Sequence, residues 1–194
     1  MKLFLLSAAI LLLTFNLFGQ GVIAFANDNT LAVRNPITGA LTTAEDDIRV
    51  ALYWAPLASP NNFSQLGDSV LVGASPSVPG QFNGGSRTTG PATAPGEAAF
   101  FLIRGWETVY GATYEAAQAA PAMDGRTSIL CTSPIFFLPT LDPSAPRSLS
   151  LSSSAQPPFT GITCVPEPSF IVVWLLALPS LLLVKKLKQR LILA

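Results

Sequence analysis

Carboxylates are the residues in this chain that could support catalysis, because the chain contains no histidine. Histidine is the commonest general base and metal ligand, so its absence excludes the usual catalytic triads. Glu107 and Glu115 could in principle serve as the acid and the nucleophile of a glycoside hydrolase. Their spacing gives no support for this pairing, and ordinary surface carboxylates are the better interpretation. The sequence therefore assigns no catalytic residue.

The densest acidic cluster is Glu45, Asp46 and Asp47, directly before a predicted strand. Calcium takes oxygen ligands of this kind from loops. The cluster nevertheless lacks the spaced acidic pattern of a calcium-binding loop, so a solvated turn is the better interpretation. We therefore predict no metal site and no cofactor.

The chain contains two cysteines, Cys131 and Cys164. Two thiols alone cannot form a structural zinc site. In an oxidising compartment they could form a disulfide that joins the last predicted strands to the segment after them. The alternative is two unpaired thiols, with Cys131 buried. Their spacing does not decide between these alternatives.

The elements that position these residues are predicted to be mainly β-strands. Alternating apolar residues predict strands over 21–26, 48–54, 69–73, 98–106, 128–131 and 134–138. Glycine and proline mark turns between them. Residues 112–120 favour one short helix that ends at Pro121 and packs against an edge of the fold. We predict an antiparallel β-sandwich over residues 22–138.

Charge and aromatic residues limit the partners of this domain. Between residues 22 and 164, six arginines against ten aspartates and glutamates leave a net charge of −4. Nucleic acid is excluded as a partner, because phosphate binding needs clustered cations. Tyr53, Trp54, Trp106 and Tyr110 could line a carbohydrate groove, but packing in the core is the stronger interpretation.

The N-terminus predicts a secretory signal peptide over residues 1–21. Lys2 precedes an apolar run, and small residues follow at Gly19 and Gly21. Cleavage is predicted after Gly19 or Gly21. Cleavage after Ala26 is an alternative, but it would remove the predicted opening strand. An uncleaved anchor is the remaining alternative, for which the apolar run is short.

The C-terminal region is predicted to contain a stalk, a short motif and a membrane segment. Residues 139–164 are rich in serine and proline and predict a flexible stalk. A transmembrane helix is predicted over residues 169–184, kinked at Pro179 and lengthened by lysines that reach the interface. The helix follows a short motif that consists of Val165, Pro166, Glu167, Pro168 and Ser169. Four cations come after the helix: Lys185, Lys186, Lys188 and Arg190. The cations should stay cytoplasmic, which places the domain outside.

This order of Pro-Glu-Pro motif, apolar helix and basic residues, over 165–194, resembles the PEP-CTERM sorting signal of bacterial surface proteins. The resemblance implies that an exosortase, a membrane processing enzyme, recognises the tail and cuts near the motif. The protein would then be released or transferred to the surface, often alongside exopolysaccharide production. Pro179 and the apolar residues after Arg190 depart from the usual tail, and an uncleaved single-span protein is the alternative outcome.

A second, weaker resemblance lies inside the domain. The spacing of Gly21, Phe25 and Asn27, the Arg-Gly-Trp at 104–106 and the segment 111–117 look like secreted β-domains that accompany such tails. No activity comes with this resemblance. The expected function is that of a non-enzymatic surface or matrix protein, structural or adhesive, in contact with the membrane and with extracellular polysaccharide. The alternative is a membrane-anchored glycan hydrolase that uses carboxylates.

Overall fold

The structure is a computed structural model that describes residues 20–74, 78–143 and 160–166. These residues form antiparallel sheets with one α-helix, which confirms the predicted mainly-β class. The helix is α1, Tyr114–Ala119. The strands are β1 Val22–Ala26, β2 Ile48–Pro56, β3 Ser64–Gln65, β4 Val70–Leu71, β5 Asn83–Thr88, β6 Ala98–Glu107, β7 Ile129–Thr132, β8 Phe136–Pro139 and β9 Thr163–Pro166.

The strands form a small sheet and a large one. In the small sheet, β1 pairs with β5. In the large sheet the order is β3, β2, β6, β7, β9, while β4 also pairs with β2 and β8 also pairs with β6. The long central pair runs from Ile48 opposite Glu107 to Pro56 opposite Ala99. One end of the large sheet therefore contains the start of β2 and the end of β6.

The central strands β2 and β6 are buried on both faces, which explains their many apolar residues. On one face, Val50 and Ile103 share a core with Phe25 of β1. On the other face, Tyr53 and Trp106 pack in a second cluster with residues of α1 and of the turn before it. The small sheet and the helix thus contribute to opposite sides of the large sheet.

Helix α1 forms within the predicted segment but packs differently from the prediction. The Thr113 side chain caps it by accepting a hydrogen bond from the backbone N–H of Ala116. The buried Ala117 faces the sheet, and its carbonyl accepts a hydrogen bond from Ser128. The helix therefore covers a face of the sheet at β6 and β7, whereas the sequence predicts that it packs against an edge.

The sequence does not predict strand β5, because Gly84 and Gly85 indicate a turn. The missing side chain of Gly84 makes room for the Phe25 ring: an ideal Cβ there would lie 2.4 Å from Phe25 Cδ1. The guanidinium of Arg87 lies 5.8 Å from the centroid of the same ring. The glycine is used for close packing between two strands, and a local sequence pattern cannot show this.

The domain extends beyond its predicted limits of 22 and 138. Gly21 donates to the Thr93 carbonyl and accepts from the N–H of Thr89, so the fold includes a residue assigned to the signal peptide. Leu141 bridges to Val22. Residues 163–166 return to the large sheet as β9 and pair with β7. The predicted stalk over 139–164 is therefore wrong at both ends, and residues 144–159 between them lie outside the described residues.

Several predictions concern residues that the structure does not describe. These are the first 19 residues of the predicted signal peptide, the predicted transmembrane helix over 169–184 and the cations Lys185, Lys186, Lys188 and Arg190. Within residues 20–74, 78–143 and 160–166, no helix combines the length and hydrophobicity needed to cross a bilayer.

Candidate functional site

Strand β9 contains the first two residues of the predicted sorting motif. Val165 lies opposite Leu130 of β7, and Pro166 lies opposite Ile129. Glu167, Pro168 and Ser169 lie outside the described residues. The motif therefore begins inside the sheet.

A disulfide fixes the chain one residue before this motif. Cys131 of β7 and Cys164 of β9 lie directly opposite each other and are bonded. Of the two alternatives for the cysteines, the structure has the disulfide. Cys131 is fully buried in the core, and Cys164 packs against that core. The covalent link thus holds the edge strand β9 to its neighbour β7.

The pairing of β9 explains why a proline is tolerated at position 166. Ile129 donates its backbone N–H towards Glu107 of β6 and away from β9, so the pairs Ile129–Pro166 and Cys131–Cys164 are non-hydrogen-bonded pairs of the antiparallel ladder. Pro166 is two residues further on, so its backbone nitrogen also points away from β7. A missing N–H costs no ladder hydrogen bond there, and proline at an edge position discourages pairing with another strand.

Gly105 of β6 gives Cys131 the space it needs. The two residues are cross-strand partners. An ideal Cβ on Gly105 would lie 3.1 Å from the Cβ of Cys131 and 2.9 Å from the carbonyl oxygen of Arg49. The glycine of the Arg-Gly-Trp sequence is thus required by packing between three strands.

Glu107 is a structural carboxylate at the same end of the sheet as Pro166. It is 5% exposed, although the sequence predicted a surface position. One carboxylate oxygen accepts a hydrogen bond from Arg126 at 2.6 Å, and the other accepts one from the backbone N–H of Ile129 at 3.0 Å. A buried carboxylate needs such partners. Glu107 joins the end of β6 to the start of β7.

Glu115 lies on the surface, as predicted, and belongs to a cluster around Arg104. Arg104 donates to Glu115 at 2.8 Å, and its guanidinium lies 4.8 Å from the Tyr53 ring centroid and 5.0 Å from that of Tyr114. Burial, and then the charge of Glu115, raise the pKa of Tyr53, whereas Arg104 opposes this increase. The cluster attaches α1 to the sheet.

The acidic residues at 45–47 form a turn stabilised by internal hydrogen bonds. Asp46 accepts from the backbone N–H of Thr43 and from the side chain of Asn35, both at 2.7 Å. Asp47 has a left-handed backbone, with φ of 49°, and its side chain accepts from the Thr108 hydroxyl. These carboxylates connect the turn before β2 to its neighbours.

The aromatic residues considered for a carbohydrate groove lie mainly in the core. Trp106, Tyr53 and Tyr110 are between 1% and 7% exposed. The indole N–H of Trp106 donates to the Gly111 carbonyl, and that of Trp54 donates to the Thr93 hydroxyl. Their interpretation as packing residues is confirmed.

The weaker sequence resemblance also has a structural explanation. Asn27 donates to the carbonyls of Leu31 and Gly80 and accepts from the N–H of Phe82. Gly111 lies so close to α1 that a Cβ there would be 2.8 Å from the Cβ of Ala116. These residues hold the fold together at turns.

No family model, curated protein or solved structure matches this chain.

Proposed function

We propose that the chain is an exported bacterial surface or matrix protein sorted through its C-terminal tail. In this proposal the domain is an antiparallel β-sandwich with a structural or adhesive role. The tail from Val165 is a PEP-CTERM-type signal, handled by an exosortase-type membrane enzyme. The observation that carries the proposal is the disulfide that ends one residue before the motif. Disulfides persist in extracytoplasmic compartments and are rare in the cytosol.

The proposed topology is a single span with the domain outside. The apolar segment 169–184 is the transmembrane helix, and Lys185, Lys186, Lys188 and Arg190 stay in the cytoplasm. Processing near the motif would release the domain to the cell surface or the matrix. Contact with extracellular polysaccharide is the expected role there.

The contacts of the two candidate carboxylates support a non-enzymatic domain. Both oxygens of Glu107 accept hydrogen bonds from the protein itself, and Glu115 is paired with Arg104. A glycosidase needs one carboxyl group free to donate a proton and another free to attack the sugar or activate water. The geometry of these residues gives no support to the alternative of a glycan hydrolase.

The test of sorting replaces Glu167 and Pro168 with alanine in a host that encodes an exosortase. These residues follow β9, so the substitutions leave the described strand unchanged. We expect the wild-type protein to be shortened and released, and the variant to stay full-length in the membrane fraction. Equal size and fractionation of the two proteins would contradict the sorting role. A host without the enzyme provides the matched control.

Signal-peptide cleavage after Gly19 fits the fold better than cleavage after Gly21. Gly21 is buried, and its missing side chain makes room for Thr140, whose Oγ1 lies 2.0 Å from an ideal Cβ at that position. N-terminal sequencing of the exported protein should therefore begin at Gln20. A start at Val22 would contradict this cleavage site.

A further inference from the structure

One end of the large sheet, here called the exit end, is where the chain leaves the domain towards the tail. It contains the start of β2 at Ile48, the end of β6 at Glu107, the start of β7 at Ile129 and the end of β9 at Pro166. The hydrogen bond from Ile129 to Glu107 ties β6 to β7 at this end. The disulfide fixes Cys164 to Cys131, so of strand β9 only the two residues after Cys164 can leave the sheet and lengthen the connection.

Very little chain separates the exit end from the apolar segment. Only Glu167, Pro168 and Ser169 lie between Pro166 and Phe170. Four residue steps reach at most about 14 Å when fully extended. The headgroup layer on one side of a bilayer is about 5–8 Å thick. If the segment from Phe170 enters the hydrocarbon, the exit end must lie at the membrane surface.

Two exposed apolar side chains lie on turns at this end. Val109, which is 63% exposed, belongs to the turn Thr108–Tyr110 directly after β6. Met123, which is 39% exposed, belongs to a tight turn in which its backbone exchanges two hydrogen bonds with Arg126. Arg126 joins this turn to the exit end through its 2.6 Å ion pair with Glu107.

We propose that the exit end rests on the outer lipid headgroup layer, with Val109 and Met123 in the interface. This inference depends on the proposed membrane insertion of the tail and adds a docking surface to the domain. The partner is a lipid surface, because the three-residue connection leaves no space for a spacer. Exposed acidic residues nearby, Asp47 and Asp124, repel anionic headgroups, so zwitterionic lipid is the preferred surface.

The experiment places an environment-sensitive fluorophore on the full chain in phosphatidylcholine vesicles. The label is attached to Val109→Cys without reductant, so that the native disulfide remains intact. The matched control is Leu57→Cys, because Leu57 is 48% exposed and follows β2 at the opposite end of the sheet. A second variant, Met123→Cys, probes the other turn. All three side chains are exposed enough for the variants to fold.

We expect blue-shifted emission at positions 109 and 123, and quenching there by lipids that carry a quencher near the headgroup. The label at position 57 should show neither effect. If the protein floats with the vesicles and the labels at 109, 123 and 57 show the same emission and quenching, the docking surface is refuted. The tail would still be inserted in the membrane in that case. Protein that does not float would overturn tail insertion and, with it, this inference. A signal at 109 that disappears when the protein is diluted in excess lipid would indicate contact between two copies and would also overturn it.

Discussion

Reduction of the Cys131–Cys164 disulfide tests whether the last strand is held by its covalent link. The bond closes a loop across a sequence separation of 33 residues. For a loop of this length, the lost constraint on the unfolded chain corresponds to about 4 kcal/mol at 25 °C. A domain of this size loses about 3 °C in melting temperature per kcal/mol, so we expect a decrease of about 10 °C.

The assay is thermal unfolding of the full chain in detergent, followed by near-ultraviolet circular dichroism with and without reductant. Reduced wild-type protein keeps every side-chain atom, so the comparison isolates the covalent constraint. The double variant Cys131→Ala/Cys164→Ala should melt at a lower temperature still, because Cys131 is fully buried and its sulfur fills space in the core. The melting temperature of this variant should not respond to reductant.

Limited proteolysis gives a second readout of the same reduction. Strand β9 is four residues long and mostly exposed, so without the disulfide it should open more easily than the rest of the sheet. We expect new cleavage sites within residues 160–166 in the reduced protein. A decrease in melting temperature of less than about 3 °C would correspond to under about 1 kcal/mol and would refute the loop-closure reasoning. Unchanged proteolysis would refute the role of the bond in holding β9.

Three further predictions concern residues of the sheet. Gly105→Ala should lower the free energy of unfolding by about 2 kcal/mol in urea titrations, because its Cβ would lie 2.9 Å from a backbone carbonyl oxygen. In the same titrations Glu107→Gln should cost about 2 kcal/mol, whereas the matched change Glu115→Gln at an exposed ion pair should cost less than about 1 kcal/mol. Equal costs would contradict the structural role of Glu107. The pKa of Tyr53 is raised, so its contribution to stability is present below pH about 10 and is lost as the pH rises above that value. Tyr53→Phe should therefore move the alkaline unfolding midpoint to higher pH.

The sequence predicts best where the apolar pattern is strong and local. Strands β2 and β6 have long runs of β-branched and aromatic residues, and their predicted positions match the structure closely. Helix α1 ends before Pro121, because proline has no backbone N–H with which to continue the helical hydrogen bonds. Such features depend on neighbouring residues in the chain and need no knowledge of distant partners.

Strand β9 shows what the local pattern could not reveal. Thr163–Pro166 is short and ends in proline, and its burial is small. It forms a strand because it pairs with a strand more than 30 residues earlier and is bonded to it. The cysteine pair was the available signal, since a disulfide at position 164 requires the chain to return to the domain.

Glu107 shows the same limit at the level of a single side chain. The sequence places it after an apolar strand and gives no sign of its partners, because Arg126 lies 19 positions away. One signal was available: a lone carboxylate that continues a buried strand needs a donor. Its prediction as a surface residue ignored the burial of the strand that precedes it.

If the tail is sorted as proposed, the position of Val165 and Pro166 within β9 limits which residues the processing enzyme can bind. Enzymes of this type that bind substrate as an extended strand need backbone groups that are free from other pairing. Pro166 already points its backbone nitrogen away from β7, whereas Val165 must leave its partner Leu130 before it can be bound in this way. Cys164 cannot follow while its bond to Cys131 is intact. For an enzyme that binds its substrate in this way, the proposed cut in the folded, oxidised protein lies after Cys164, and the released domain would keep its disulfide and the start of its last strand.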